Sequence, residues 1–212
     1  FMWMGEPLAN YAATIRAIRW MVAAEGLNMR ARGITVSTVG LVNGIRRLAA
    51  EGMQIGLTIS LHAPDDDTRS MIMPINKKYP LKELMQACRD YPTASNARRI
   101  TFEYVMLKGL NDSRQDAQRI VSLLKGIPSK VNLIPYNPHP ASPFLRPDLN
   151  DVMAFQKYLL DRDLTTTIRI SKGPDILAAC GQLRSKEAIK SKYAEKRARG
   201  LGKQGESPTA SL

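Results

Sequence analysis

The chain has 212 residues, with 31 Lys and Arg against 19 Asp and Glu, a net charge of +12, and a 44% hydrophobic share. That length and balance suit one buried core, and no apolar run reaches the roughly 18–20 residues of a membrane-spanning helix, so a membrane partner is not expected. Cys88 and Cys180 lie far apart without metal-ligand spacing, which argues against a disulfide framework and for a reducing, cytoplasmic setting.

The excess of base implies an acidic partner, most commonly nucleic acid, whose phosphates supply the main attraction. Eight Lys and Arg against two Glu lie between Arg184 and Lys203, so half of the net charge sits in this stretch. Residues 184–212 are read as a flexible basic tail behind a folded region, 1–183.

Phe1–Met4 reads as the inside of a strand, so the chain is expected to be a piece truncated at its N-terminus. A helix is predicted from Asn10 to Glu25, with Ile15, Ile18 and Val22 on one face. A strand follows at 33–40, then a helix over Leu41–Glu51 with Ile45, Leu48 and Ala49 at core spacing, stopped by Gly52. Gln54–Leu61 is the third strand, and Asp65, Asp66 and Asp67 open a short helix where negative charge suits the helix dipole.

Leu81–Asp90 reads as a helix with Leu81, Leu84, Met85 and Cys88 on its core face, which makes Cys88 structural. Arg99–Leu107 is a strand, and Ser113 with Asp116 forms a capping box for the next helix. Lys130–Ile134, a helix over Asp151–Leu160 and a strand at Thr165–Ile170 complete six strands.

Strict alternation of strand and helix implies a parallel α/β sheet with right-handed crossovers, either doubly wound or part of a βα (TIM-like) barrel. Glu6, Ser37, Ser60, His62, Asn137 and Lys172 all follow strands, and barrels gather their sites at that rim. No glycine-rich dinucleotide fingerprint or phosphate loop is present to favour the open sheet.

Each candidate has a plain structural alternative. Glu6, fixed between Gly5 and Pro7, can accept from an amine or be a solvated loop residue. Ser37 can bond a ligand or cap a strand, and His62 can act as a general base, stack under a ring or be a satisfied structural group. Asn137, between two prolines, can bind a ligand or form a turn. Cys180 sits among Ala178, Ala179 and Gly181, where small neighbours admit a bulky substrate, but a buried cysteine packs as a small hydrophobe just as well.

The ordered segments 4–8 (MGEPL), 35–40 (TVSTVG), 60–64 (SLHAP), 74–76 (PIN), 108–112 (KGLND), 132–138 (NLIPYNP) and 178–183 (AACGQL) closely resemble the RlmN/Cfr family of radical S-adenosylmethionine RNA methyltransferases, nearest its RlmN branch. The resemblance covers Phe1 to about Leu183. It implies a partial βα barrel of the radical SAM type that binds a 4Fe–4S cluster and S-adenosylmethionine, and needs an electron donor for the cluster. It further implies methylation of adenine C2 in 23S rRNA and, in many members, tRNA.

By the same resemblance Gly5 and Glu6 hold the methionyl amine, while Ser37, Ser60, Leu61, His62 and Asn137 line the cofactor. Cys180 is then the cysteine that is methylated and passes its carbon to adenine. Adenine C2 is not nucleophilic, so a cofactor-borne radical suits it, and a folded RNA must splay the base out. The cluster cysteines are expected upstream of Phe1, and the piece alone is expected to be inactive. Trp3 stands where the family usually has glycine.

Three other readings stay open: methylation at C8, as in the Cfr branch, a metal-free enzyme pairing Cys180 with His62, and a basic RNA-binding module.

Overall fold

A computed structural model describes residues 5–92, 98–138 and 142–169, all within one compact unit. The predicted first strand at 1–4 and the stretch from Ile170 onward, with Lys172 and Cys180, lie outside the described residues.

Five strands, β1 (Thr35–Thr38), β2 (Gly56–Ser60), β3 (Ile100–Met106), β4 (Ser129–Pro135) and β5 (Thr165–Ile168), form one sheet. All neighbours are parallel and the spatial order is the chain order. Successive right-handed crossovers in one direction place every connecting helix on the same side of the sheet. A doubly wound sheet would reverse direction at a switch point, so this order is that of an opened barrel.

The helices are α1 (Tyr11–Val22), α2 (Val42–Ala50), α3 (Asp66–Ile72), α4 (Leu81–Arg89), α5 (Arg114–Leu123) and α6 (Leu149–Leu160). α1 stops three residues short of the predicted end, where Ala23 leaves the helix at ψ 143°, and Val22 is only half-buried. The expected core face of α4 is confirmed, with Leu81, Leu84, Met85 and Cys88 all buried. The capping box of α5 is also present: Asp116 N–H donates to Ser113 Oγ at 3.2 Å and Ser113 N–H to Asp116 Oδ2 at 3.0 Å.

The two faces of the sheet differ sharply. Alternate residues of a strand point to opposite sides. Val36, Leu57, Ile59, Ile100, Phe102, Tyr104, Met106, Val131 and Leu133 share the buried face under the helices. The register places Ser37 beside Thr58, and Thr58 beside Thr101, on the other face. One step further along, Ser60 pairs with Glu103, Glu103 with Asn132 and Asn132 with Thr167. Barrel interiors are ordinarily packed with branched aliphatics. A hydroxyl-, amide- and carboxylate-bearing concave face is instead a surface built to meet something polar.

Candidate functional site

The C-terminal ends of β1, β2 and β4 carry Ser37, Ser60, Leu61, His62 and Asn137, and Glu6 is bonded to the main chain just beyond β1. Gly5, at φ +111°, makes the turn that presents Glu6, a conformation strained for any other residue. Glu6 Oε1 accepts from Leu8 N–H at 3.0 Å, capping the 3₁₀ turn Pro7–Asn10, and Oε2 accepts from Val39 N–H at 2.7 Å. The carboxylate is thereby fastened to the end of β1, two residues beyond Ser37.

Ser37 and Ser60 are both half-buried on the concave face, on adjacent strands. Leu61 is fully buried, and its main chain is fully used: its N–H donates to Glu103 O at 3.0 Å and its carbonyl accepts from Arg69 Nε at 3.0 Å. Asn137 is half-buried just after β4, two strands from Ser60.

His62 adopts φ +57°, a left-handed conformation that histidine tolerates better than most residues. Its Nδ1 accepts the N–H of Val105 at 3.1 Å, so the proton of the neutral ring resides on Nε2. Burial, with a smaller contribution from the Arg69 charge, pushes its pKa down to about 4. A ring whose lone pair is already occupied donates from Nε2 but does not take up a proton at neutral pH. In this arrangement His62 has a donor to offer at Nε2 and no free lone pair at Nδ1.

Three residues that sequence reasoning passed over build this rim. Arg69, on α3, is fully buried. Its guanidinium donates to the carbonyls of Leu61, Val39 (2.8 Å) and Ser60 (3.1 Å) and to Asn76 Oδ1 (2.9 Å). One cation thus ties the ends of β1 and β2 together. Asn76 passes the linkage on, donating to Asp66 Oδ1 at 2.8 Å, which also accepts Leu81 N–H at 2.8 Å at the start of α4.

Asn111, also fully buried, does the same for β2 and β3. Its amide donates to His62 O at 2.7 Å and Val105 O at 2.8 Å, and its oxygen accepts Leu107 N–H at 2.7 Å. Glu103 is the third, a buried carboxylate in mid-sheet. Thr35 with Ser37 and Thr58 with Ser60 show polar alternation along their strands, but Val105 breaks the series begun by Thr101 and Glu103, so the sequence marks Glu103 only faintly.

Among the described residues no group of three or more His, Cys, Asp or Glu could hold a metal ion. Cys88 is sealed in the core, where burial pushes its thiol up to about 12. The described residues therefore do not provide for an iron–sulfur cluster. No helix among them is long and apolar enough to cross a membrane.

No family model matches the chain. Individual relatives do. The dual-specificity RNA methyltransferase RlmN of Paramagnetospirillum magneticum is 54% identical over 184 residues, 87% of this chain and 40% of the relative. RlmN of Rhodopseudomonas palustris strain BisB5 is 53% identical over 184 residues, 46% of its length. A crystal structure of a radical SAM methyltransferase from Sphaerobacter thermophilus superposes with a TM-score of 0.78 at 51% identity, covering 84% of this chain and 52% of that one.

Over most of its own length the chain is similar to RlmN RNA methyltransferases. It spans less than half the length of these curated RlmN relatives. A domain of pyruvate-formate lyase-activating enzyme from Bacteroides vulgatus, at 17% identity and a TM-score of 0.55, shares the fold alone. The RlmN likeness and the sequential strand order agree that the sheet is a section of a radical SAM barrel.

Proposed function

We propose that this chain forms the S-adenosylmethionine-binding section of an RNA methyltransferase that modifies C2 of adenine in 23S rRNA and tRNA. The observation that supports it most is the convergence of Glu6, Ser37, Ser60 and His62 on one rim above a polar concave face, in a chain more than half identical to RlmN relatives.

The residues present fit a nucleoside-sulfonium ligand. Glu6 is immobilised by two main-chain donors, and each oxygen keeps a lone pair for an ammonium group. The hydroxyls of Ser37 and Ser60 both donate and accept. His62 offers a fixed N–H from Nε2, held in that tautomer by Val105. S-adenosylmethionine, when bound, supplies a methyl group activated on a sulfonium.

This chain's part is to bind and orient. Arg69 and Asn111 keep the strand ends from shifting, so that the groups they carry meet the ligand without reorganisation. Cys180 is proposed as the sulfur that carries the carbon to adenine, and the +12 charge as the attraction for RNA phosphate.

The test is mass spectrometry of RNA from a bacterial host lacking its own adenine-C2 methyltransferase. The complete reading frame containing this chain is expected to restore 2-methyladenosine to 23S rRNA and tRNA, and Cys180→Ala to abolish it. An intact product with Cys180→Ala, or methylation at C8, would overturn the proposal.

A further inference from the structure

Glu103 lies at the centre of the concave face, in register with Ser60 on one side and Asn132 on the other. It is only 7% exposed. Its hydrogen-bond donor among the described residues is the Asn132 amide, whose Nδ2 lies 3.1 Å from Oε1 and 3.3 Å from Oε2. Thr167 Oγ1 donates to Asn132 Oδ1 at 3.1 Å, which fixes the amide with its NH₂ toward the carboxylate. A line of bonds thus runs from β5 through β4 to β3 and stops at Glu103.

The line ends on a group with capacity to spare. A carboxylate offers about four acceptor positions, and one neutral amide shared between both oxygens fills the smaller part of them. No ion pair among the described residues involves Glu103. Burying a carboxylate with so little compensation is costly, and a purely structural position would gain from an amide or an apolar residue. The near-symmetric contact from Asn132 leaves each oxygen able to accept once more, side by side. Two hydroxyls on adjacent carbons match that pattern, which is how an acidic residue reads a ribose in dinucleotide-binding folds.

We propose that Glu103 is a ligand-binding residue that receives the ribose hydroxyls of the adenosyl group. The assignment rests on the reading that a nucleoside-sulfonium occupies this rim. Asn132 and Thr167 are its positioning residues: they orient the carboxylate without touching the ligand.

The test is equilibrium binding of S-adenosylhomocysteine and its 2′-deoxyribose analogue to the whole chain and to Glu103→Gln, with thermal melts of both proteins. The wild-type chain is expected to bind the ribose form about 10-fold or more tighter than the deoxy form, the range of a hydrogen bond to a charged group. Glu103→Gln is expected to lose most of that preference while melting at the same or a higher temperature. Wild type binding both forms equally would overturn the proposal without any variant being needed. A Glu103→Gln protein that keeps the full preference would overturn it too, and both results leave the proposed function standing. No binding of S-adenosylhomocysteine by the wild-type chain would overturn both.

Discussion

Asn111 donates across 2.7 Å to the carbonyl of His62, a residue 49 positions earlier, and so locks the left-handed turn that ends β2 against the end of β3. The other amide hydrogen is spent on Val105 O. Asn111→Asp replaces these donors by an acceptor facing two buried carbonyls. Urea denaturation should show a loss of about 2–4 kcal/mol. A loss under 1 kcal/mol would show that the turn holds without the amide.

Arg69 has no shorter substitute. Lysine cannot reach four acceptors with a rigid fork, so Arg69→Lys and Arg69→Met should both destabilise by about 3–5 kcal/mol, through carbonyls left buried and unpaired. The check is equilibrium unfolding of the two variants. Near-wild-type stability of Arg69→Lys would refute the account.

Gly40 combines φ +103° with crowding. A Cβ there would lie 3.0 Å from Leu84 Cδ2 and 3.3 Å from Arg69 Nη2. Gly52, at φ +67°, has nothing within 4 Å of the same position. Gly40→Ala should therefore cost about 2–3 kcal/mol and Gly52→Ala about 1 kcal/mol. Equal costs in thermal melts would mean that backbone strain alone matters.

The depressed pKa of His62, about 4, gives stability a pH slope. Between about 6.5 and 4 the unfolded chain binds a proton that the folded chain refuses, so stability is whole above pH 6.5 and falls as the pH drops towards 4. The full loss is on the order of 3 kcal/mol. His62→Gln removes this slope, so the stability difference between wild type and variant should shrink from pH 7.5 to 4.5. A constant difference would contradict the assignment.

Cys88 should be inert. With its thiol pushed up to about 12 by burial, its reactive thiolate is scarcer than in a free cysteine by roughly 10³. In a Cys180→Ser background, maleimide should label Cys88 only after denaturation. Rapid labelling of the native chain would place the thiol outside the core.

The α/β class, the core face of α4 and the capping box of α5 were legible because periodicity and capping are local. The places of His62 and Asn137 just beyond β2 and β4 were legible too, since special residues after strands stand out against β-branched runs, whereas Ser37 and Ser60 lie within β1 and β2. Arg69 and Asn111 were not, because their meaning depends on carbonyls contributed by other strands, which no spacing within α3 or within the segment Lys108–Asp112 announces. Glu103 was hidden differently. Its strand reads as a uniformly buried run, and the concave face becomes visible only when the register aligns Ser60, Asn132 and Thr167 beside it.

Arg69 grips oxygens of the main chain and not side chains at Val39, Ser60 and Leu61. The architecture of the rim is consequently insulated from its chemistry. Side chains at these positions can be exchanged to recognise a different ligand while the scaffold that displays them keeps its shape, which makes this corner a natural place to re-engineer specificity.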